Sequence, residues 1–428
     1  MKKTLLSVFV ALSLFRFSPL TAQMVTPEMY FADYSRIKDA NGVAKPFAKD
    51  PSVIEFGGRF LMYYSICGPS TNGSPGNTGW SMGIAESEDL ISWKRIGEIV
   101  ADPAYSFENK GICAPCAKVF NGKVHLFYQT YGNGTGDAIC HAWSTDGKTF
   151  VRNKTNPIFR PTGAWTCGRA IDAEVFHYGD KYFLYFATRD VPYAKQITGV
   201  ATAPDTTTTF NKSVWTQACT ESILFPEYAW EGGTTNGCTE GASIIQRNGK
   251  LYMFYAGNYN NKPQQIGVAV STDGLKWTKL STTPFLANGA TGTWNKSESG
   301  HPGIFDLDGQ QSFLFYQGNN DGGKTWFLSQ IEIFWNANGP SKVFTGIADV
   351  KDAQNLKISC QSKEIIIRGQ VDVKTKLFLL DLSGREVYSA VLQEGSLNKI
   401  NVSDLKNGVY LLKINDKKSV FSRKLIVK

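Results

Sequence analysis

Three carboxylic acids stand at matching places in a chain that repeats one sequence pattern five times. Asp50 and Asp172 each precede a pair of aromatic residues by thirteen positions, and Glu240 precedes a third pair by fourteen. Clustered carboxylic acids repel each other and are desolvated, and both effects drive their pKa values apart. One group can then stay protonated while another is ionised, so the three residues are candidates for general acid and general base catalysis.

Each repeat is a glycine turn followed by a strand that ends in two adjacent aromatic residues. The pairs begin at positions 63, 127, 185, 254 and 315, so successive copies are separated by 64, 58, 69 and 61 residues. An apolar run before each turn is typical of a β-hairpin. Five units, each with room for about four strands, predict an all-β protein built around a five-bladed β-propeller. A β-sandwich does not account for five copies at so long a period.

The first strand of each blade surrounds the axis of a propeller, so equivalent residues of the blades meet at one end of the channel. The two other copies have Ala114 and His301 where the acids stand. Each acid alone also has a simpler interpretation as a turn residue or a strand cap, but three in register on separate blades favour a cluster. Three copies continue into Ser-x-Asp turns, and we expect the aromatic residues that follow them, Trp93, Phe150 and Trp277, to fill the gaps between sheets.

An aromatic pocket at the end of a rigid channel suits a sugar, whose ring faces stack on aromatic planes. Hydrolysis of a glycosidic bond with inversion needs a general acid and a general base whose carboxyl groups are roughly 6.5–9.5 Å apart. Trp80, Trp165 and Trp230 lie on glycine-rich loops near the acidic motifs, and we predict that they bind substrate. Packing against the sheets is the alternative for each of them.

The acidic motifs resemble those of glycoside hydrolase family 43, whose members are five-bladed propellers that act on arabinose- and xylose-containing glycans. The matching segments are 49–54, 170–176 and 239–245, and the resemblance covers about 46–335. It implies that Asp50 is the general base, that Asp172 orients the site and modulates the pKa of the acid, and that Glu240 is the general acid. The activity implied is that of an α-L-arabinofuranosidase, a β-xylosidase or an arabinanase-like enzyme.

His301 belongs to a segment, 299–303, that resembles the motif of the fifth blade in this family. There a histidine near the axis helps to hold a calcium ion or a water cluster, so the resemblance implies a substrate-binding and metal-binding role for His301. A histidine that hydrogen-bonds to an acid or to substrate is the alternative. The chemistry itself requires no cofactor, and the calcium ion would be structural. The competing function is a non-catalytic glycan-binding propeller.

The charge of the chain is concentrated at its two ends. The sequence contains 45 basic and 37 acidic residues, a net charge of +8, but residues 1–22 carry three basic residues and residues 357–428 carry 14 basic against 7 acidic residues. The middle part therefore has 28 basic and 30 acidic residues, a net charge of −2. This distribution argues against nucleic acid as a partner and suits a neutral oligo- or polysaccharide.

Residues 1–22 have the pattern of a signal peptide, with two lysines before an apolar run that is too short to span a membrane. We predict cleavage after Ala22 and no integral membrane segment in the mature protein. Eight cysteines are too few for a disulfide scaffold. Cys113 and Cys116 have CxxC spacing, for which we expect a local disulfide or buried thiols.

The C-terminal residues resemble the sorting domain of type IX secretion cargo in Bacteroidota. The matching features are Ser383–Val387, the Leu405-x-x-Gly408-x-Tyr410 pattern and a final strand rich in Lys, Ile and Val. The resemblance implies the type IX machinery as a partner and a location outside the cell or on the outer membrane after export through the periplasm. We therefore predict a signal peptide at 1–22, a catalytic propeller at 23–345, a linker within 336–354 and a small, β-sandwich-like sorting domain at 356–428.

Overall fold

The fold is taken from a computed structural model of the full chain. It describes residues 30–307, 309, 312–342, 357–361, 363–371, 375–381, 385–415 and 420–427. The predicted signal peptide, 1–22, lies outside these residues. The described part is nearly all β-structure, which confirms the predicted class. Its helical elements are single turns at Ser106–Glu108, Gly134–Gly136, Lys212–Val214, Ala229–Glu231 and Gly233–Asn236, and none of its helices is long and apolar enough to cross a membrane.

Three two-residue strands come first, and four sheets of identical topology follow. The first strands are β1 (Tyr30–Phe31), β2 (Ile37–Lys38) and β3 (Ala44–Lys45). Sheet 1 contains β4 (Lys49–Phe56), β5 (Arg59–Gly68), β6 (Gly76–Ser87) and β7 (Lys94–Ile99). Sheet 2 contains β8 (Ile112–Phe120), β9 (Lys123–Thr130), β10 (Ile139–Ser144) and β11 (Val151–Arg152). In both, each strand pairs antiparallel with the next strand of the chain.

Sheets 3 and 4 repeat this arrangement. Sheet 3 contains β12 (Ile171–Tyr178), β13 (Lys181–Arg189), β14 (Gln196–Pro204) and β15 (Thr216–Gln217). Sheet 4 contains β16 (Thr239–Arg247), β17 (Lys250–Gly257), β18 (Gln265–Ser271) and β19 (Thr278–Lys279). Sheet 5 contains β20 (Glu298–Asp306), β21 (Ser312–Asn319), β22 (Phe327–Asn336) and β23 (Gly339–Ser341), and β1 from the beginning of the chain pairs with β22. The first residues of the predicted linker therefore fold into sheet 5.

The five sheets are arranged in a ring, because the first strand of each contacts the first strand of the next. β4 contacts β8, which contacts β12, and the sequence continues through β16 and β20 back to β4. A hydrophobic cluster fills each of the gaps between neighbouring sheets. The axis of the ring is thus lined by the strands that carry the predicted acids.

The paired aromatic residues explain why the sequence pattern recurs. Successive side chains of a strand point to opposite faces of its sheet. Tyr63 accordingly lies in the cluster between sheets 1 and 2, while Tyr64 lies in the cluster between sheets 5 and 1. The other four pairs are divided between two gaps in the same way, and all ten side chains are buried. Each pair therefore packs its sheet against both neighbours.

The Ser-x-Asp turns position a second aromatic layer, as the sequence predicts. The hydroxyl of Ser144 contacts Asp146 at 2.8 Å, and the Asp146 carboxylate accepts hydrogen bonds from the backbone N–H groups of the next turn. Phe150 then packs edge-on against Tyr63 of sheet 1, with ring centroids 5.7 Å apart. Trp93 packs in the same way against Phe315, and Trp277 against Tyr185.

The C-terminal residues form two more sheets. One contains β24 (Lys357–Gln361), β25 (Glu364–Val371) and β28 (Gly395–Asn401). The other contains β26 (Lys376–Leu380), β27 (Glu386–Val391), β29 (Gly408–Asn415) and β30 (Val420–Val427). Residues of both sheets share one hydrophobic cluster, which includes Ile365, Ile367, Leu377 and Leu412.

Candidate active site

Each first strand of the ring is interrupted by a bulge, and the predicted acids and His301 lie in these bulges or directly beside them. The register of pairing shifts between Lys49 and Ser52, and at the corresponding place in the other four sheets. A β-bulge bends a strand and re-aims its side chains. One residue in each bulge has a left-handed backbone, with φ between 44° and 57°: Asp50, Ala114, Asp172, Gly241 and His301.

Glu240 is not the structural equivalent of Asp50 and Asp172, although the count along the sequence placed it there. The residue equivalent to them is Gly241, and Glu240 comes one position earlier, where it pairs with Ala256 in the regular part of the strand. A strict count of thirteen residues back from Phe254 gives Gly241, whereas Glu240 stands fourteen back, as His301 does before Phe315, and of these two only His301 has the left-handed backbone of the bulge. The side chain of Glu240 nevertheless lines the same cavity as the two aspartates.

Side chains of the preceding sheet hold three of these bulges in place. The N–H of Asp50 donates to Oε1 of Gln317 at 2.9 Å, and the N–H of Asp172 donates to Oε1 of Gln129 at 2.8 Å. The N–H of Ala114 donates to the hydroxyl of Ser65 at 2.8 Å. A left-handed backbone costs a non-glycine residue about 1–2 kcal/mol, and these hydrogen bonds compensate for part of that cost.

The bulges surround one end of a cavity of about 420 Å³. Such a volume is in the range of small-molecule sites. One wall is aromatic: Trp80 stacks on Tyr131, with centroids 4.6 Å apart, and Phe47 packs edge-on against Trp80 and Trp326. Most of the remaining lining residues are polar or charged: Lys49, Asp50, Gln129, Arg169, Asp172, Arg189, Gln196, Glu240, Tyr259, Asn260 and His301. Pro75, Cys113, Ala114 and Ile171 complete the lining.

His301 lies between two of the acids. Its Nε2 is 3.4 Å from Oδ1 of Asp172 and 3.7 Å from Oδ1 of Asp50. Burial alone would lower the pKa of His301, but the charges of Asp50 and Asp172 outweigh burial and raise it to about 9. Burial likewise acts to raise the pKa of Asp50, but the cations His301 and Lys49 bring that pKa below its ordinary value. Asp50 is therefore ionised at neutral pH.

Glu240 has the opposite environment. Burial raises the pKa of its carboxyl group to about 7, and the negative charge of Asp172 contributes in the same direction. The amide of Gln264 donates to Oε1 of Glu240 at 2.5 Å, and the amide of Gln196 donates to Oε2. Glu240 therefore keeps a proton at pH values where Asp50 has lost its own.

Nε2 of His301 faces carboxylate oxygens of Asp50 and Asp172, an environment that favours a proton on this nitrogen over a metal ion. A histidine must be neutral to bind a metal, whereas the neighbouring aspartates hold this imidazole in its protonated form. Calcium takes six to eight oxygen ligands, and the described ranges contain no group of three or more His, Cys, Asp or Glu residues that could hold an ion. The calcium ion implied by resemblance stays a prediction.

The chain matches a protein-family model for glycosyl hydrolases of family 43 over residues 40–340. It belongs to glycoside hydrolase family 43. Residues 353–428 match the model for a secretion system C-terminal sorting domain, so the enzyme carries a type IX export signal and is secreted or displayed on the cell surface. No match was found among the curated proteins.

Solved structures of this family share the fold of the ring. A thermostable family-43 glycoside hydrolase is 22% identical, with a TM-score of 0.54, over 69% of this chain and 92% of its own. An endo-1,4-β-xylanase from Bacteroides thetaiotaomicron is also 22% identical, with a TM-score of 0.54, over 69% and 93%. An α-L-arabinofuranosidase from Lactobacillus brevis is 16% identical, with a TM-score of 0.50, over 69% and 94%.

Only one of the three tryptophans predicted to bind substrate lies at the cavity of this family-43 enzyme. Trp80 forms part of its aromatic wall. Trp165 packs instead against Gly199 and Phe186 of sheet 3. Trp230 covers Gly257 and donates its indole N–H to the carbonyl oxygen of Thr282 at 3.1 Å. Both positions agree with the packing alternative, because the glycines leave room that an indole ring fills.

Several residues that line the cavity or hold its bulges were not predicted from the sequence. Gln129 and Gln317 both stand two positions after the first aromatic residue of a pair, as Ser65 does. A polar residue two positions after the first aromatic residue of a pair could therefore have predicted which side chains hold the bulges. Arg169 and Arg189 have no such register, and their approach to the cavity depends on the folded loops. The cysteines are all free, and Cys113 and Cys116 are buried thiols.

Proposed function

We propose that this enzyme is an inverting glycosidase that acts on plant-type glycans, as an α-L-arabinofuranosidase, a β-xylosidase or an arabinanase-like enzyme. Asp50 is the general base, Glu240 is the general acid, and Asp172 orients the site and keeps Glu240 protonated. The catalytic unit is a five-bladed propeller within 23–345, and the sorting domain occupies 356–428. The five consecutive sheets and their cyclic contacts support the blade count.

The observation that carries the mechanism is the opposite perturbation of two carboxyl groups in one cavity. The pKa of Asp50 is lowered by neighbouring cations, and the pKa of Glu240 is raised to about 7 by burial and by Asp172. Glu240 can thus donate its proton to the glycosidic oxygen as the bond to the anomeric carbon breaks. Asp50 can accept a proton from the water that attacks that carbon. No step requires a metal ion.

The substrate class is supported by the family and by the names of its structural neighbours. These include the xylanase and the arabinofuranosidase described above, together with an exo-1,5-α-L-arabinanase from a bovine ruminal metagenomic library. At 16–22% identity these likenesses concern the fold alone. A cavity with an aromatic wall of Trp80, Tyr131 and Trp326 also suits a sugar ring.

The test compares Glu240→Gln with Asp50→Asn on two aryl arabinosides or xylosides that differ in leaving group. A nitrophenyl glycoside needs the general acid more than a dinitrophenyl glycoside, whose leaving group departs without a proton. We expect Glu240→Gln to lose about 10²–10⁴-fold in kcat on the first substrate and far less on the second. Asp50→Asn should lose activity on both, because water activation is needed in each case.

Glu221→Gln is the matched control, since this glutamate is exposed and lies outside the cavity. Proton NMR of the first-formed sugar reports its anomeric configuration and hence inversion or retention. Unchanged turnover by Glu240→Gln on the nitrophenyl substrate would exclude it as the acid. A wild-type protein that binds oligosaccharides but hydrolyses none would favour the non-catalytic glycan-binding propeller.

A further inference from the structure

The cavity contains four cationic side chains, and two of them are not needed by the catalytic acids. His301 faces Asp50 and Asp172. Lys49 is buried beside Asp50 and Glu298, whose charges raise its pKa against the opposing effect of burial. Arg169 and Arg189 remain, and both line the same cavity.

Arg189 has almost none of its hydrogen-bonding capacity filled. It ends strand β13, and its Nη1 donates to the carbonyl oxygen of Tyr193 at 3.1 Å. Its Nε is buried without a partner, and no carboxylate among the described residues lies within ion-pair distance. The guanidinium group has five N–H donors in a fixed fork. The ring centroids of Tyr193 and Tyr259 lie 4.5 and 4.9 Å from its central carbon. The two tyrosines therefore hold the group in place without neutralising it.

Arg169 is only loosely paired. Its Nε lies 3.6 Å from Oδ2 of Asp137 and has no hydrogen-bond partner, and its Nη1 contacts Oε1 of Gln196 at 3.4 Å. The other oxygen of Asp137 accepts from the N–H of Asn133 at 3.0 Å and from the hydroxyl of Thr130 at 3.2 Å. Because Gln196 also donates to Glu240, Arg169 lies on the side of the cavity where the proposed general acid is held.

We propose that this cavity binds a sugar that carries a carboxylate, a uronic acid residue, and that Arg189 and Arg169 recognise it. A guanidinium fork matches the two oxygens of a carboxylate, and such paired hydrogen bonds are stronger than neutral ones. The inference depends on the proposed function in one respect: the acidic sugar would occupy the same cavity as the proposed catalytic acids. The net charge of −2 over the middle of the chain favoured a neutral glycan, but local charge decides recognition.

The test measures binding of D-glucuronic acid and D-galacturonic acid to the purified full-length protein by calorimetry, each against its methyl ester. The ester keeps the ring and the carbonyl oxygen, removes the charge and adds one methyl group. We expect the wild type to bind at least one acid about tenfold or more tightly than the ester, with a preference that falls as salt is added. Arg189→Gln and Arg169→Gln should each reduce this preference severalfold, because each weakens binding of the acid more than binding of the ester.

Lys148→Gln is the control, because Lys148 is an exposed cation outside the cavity. Circular dichroism verifies the fold of each variant, and the use of two arginine variants guards against one that fails to fold. Equal affinity for acid and ester, or no detectable binding of either acid, overturns the inference. So does a preference that survives both arginine substitutions. Tighter binding of galactose 6-sulfate than of either acid contradicts the choice of a carboxylate.

Failure of this inference is distinguishable from failure of the proposed function. Turnover of neutral arabinosides or xylosides without preference for a carboxylate would support the glycosidase activity and exclude the acidic sugar as the ligand. Preferential binding of a uronic acid without turnover of any glycoside would support the carboxylate-binding site and exclude the hydrolytic function.

Discussion

Replacement of Gln317 by methionine should impair catalysis through the backbone of Asp50. Gln317 is fully buried on β21, and its Oε1 accepts the hydrogen bond from the N–H of Asp50. Its amide donates to Oε1 of Glu298 at 2.7 Å and to Oδ1 of Asn260 at 3.2 Å. Methionine has similar length and none of these groups. The variant therefore leaves the buried N–H of a strained bulge, and a buried carboxyl group, without their partner.

The magnitude follows from the number of groups that lose a partner. Each buried polar group left unsatisfied costs about 1–3 kcal/mol, so we expect Gln317→Met, which affects two such groups, to lower the free energy of unfolding by about 2–6 kcal/mol. A displacement of a catalytic group by about 1 Å can cost about 10²-fold in rate. We therefore expect kcat on a nitrophenyl glycoside to fall by about tenfold to 100-fold, with a much smaller change in KM.

Urea unfolding and initial-rate kinetics are measured on the same preparations. Ser243→Ala is the matched control, because the Ser243 hydroxyl accepts a hydrogen bond from the buried N–H of Ile304 at 3.0 Å, also across two sheets. It should lose stability, by about 1–3 kcal/mol, and keep its kcat. If Gln317→Met loses stability but retains kcat within about twofold, Gln317 is structural only and the positioning argument is wrong.

Two further predictions concern the pH dependence of activity and the ion pair between Lys118 on β8 and Glu174 on β12. The value of kcat/KM should fall as pH rises through about 7, because Glu240 then loses the proton that it must donate. On the acid side kcat/KM should fall only below the ordinary pKa of a carboxyl group, because Asp50 stays ionised until then. If the fall on the alkaline side persists unchanged in Glu240→Gln on a dinitrophenyl glycoside, the assignment of Glu240 is contradicted. Lys118→Met should lower the free energy of unfolding by about 3–5 kcal/mol, since it leaves buried Glu174 without the ammonium 2.8 Å away. The double variant Lys118→Met/Glu174→Gln should recover most of the lost free energy of unfolding, measured with urea. A loss of less than about 1 kcal/mol in Lys118→Met alone would refute the importance of this ion pair.

The sequence predicted the parts of this fold that depend on local pattern. Aromatic pairs such as Tyr63 and Tyr64 recur because each residue packs into a different gap between sheets, and that requirement is visible in any one copy. The Ser-x-Asp turns are equally local, since Ser144 and Asp146 bind each other and the backbone beside them. Both features could therefore be placed correctly without knowledge of the tertiary structure.

Features that depend on three-dimensional context were missed or misplaced. Glu240 and His301 both stand fourteen residues before their aromatic pairs, but only His301 has the left-handed backbone of the bulge, and the sequence pattern does not distinguish the two. Trp165 and Trp230 resemble Trp80 in sequence context, but Gly199 and Gly257 provide packing sites for them on neighbouring strands. Arg189 reaches the cavity from the end of β13, beside Tyr259 in the loop that follows β17. The contact between Arg189 and Tyr259 joins residues 70 positions apart and follows no repeat.

The bulges belong to the architecture of the ring, and the chemistry makes use of them. Ala114 has the same left-handed backbone as Asp50 and Asp172, with φ of 49° against 51° and 52°, although its methyl group can neither transfer a proton nor bind a sugar hydroxyl. The N–H of Ala114 is nevertheless held by Ser65 as the other two are held by glutamines. The strain is therefore present where no catalysis requires it. The neighbouring sheet holds the backbone of the bulge, and this backbone directs a carboxylate on the bulge toward the axis. Substitution of the acid should therefore abolish activity while the bulge keeps its conformation.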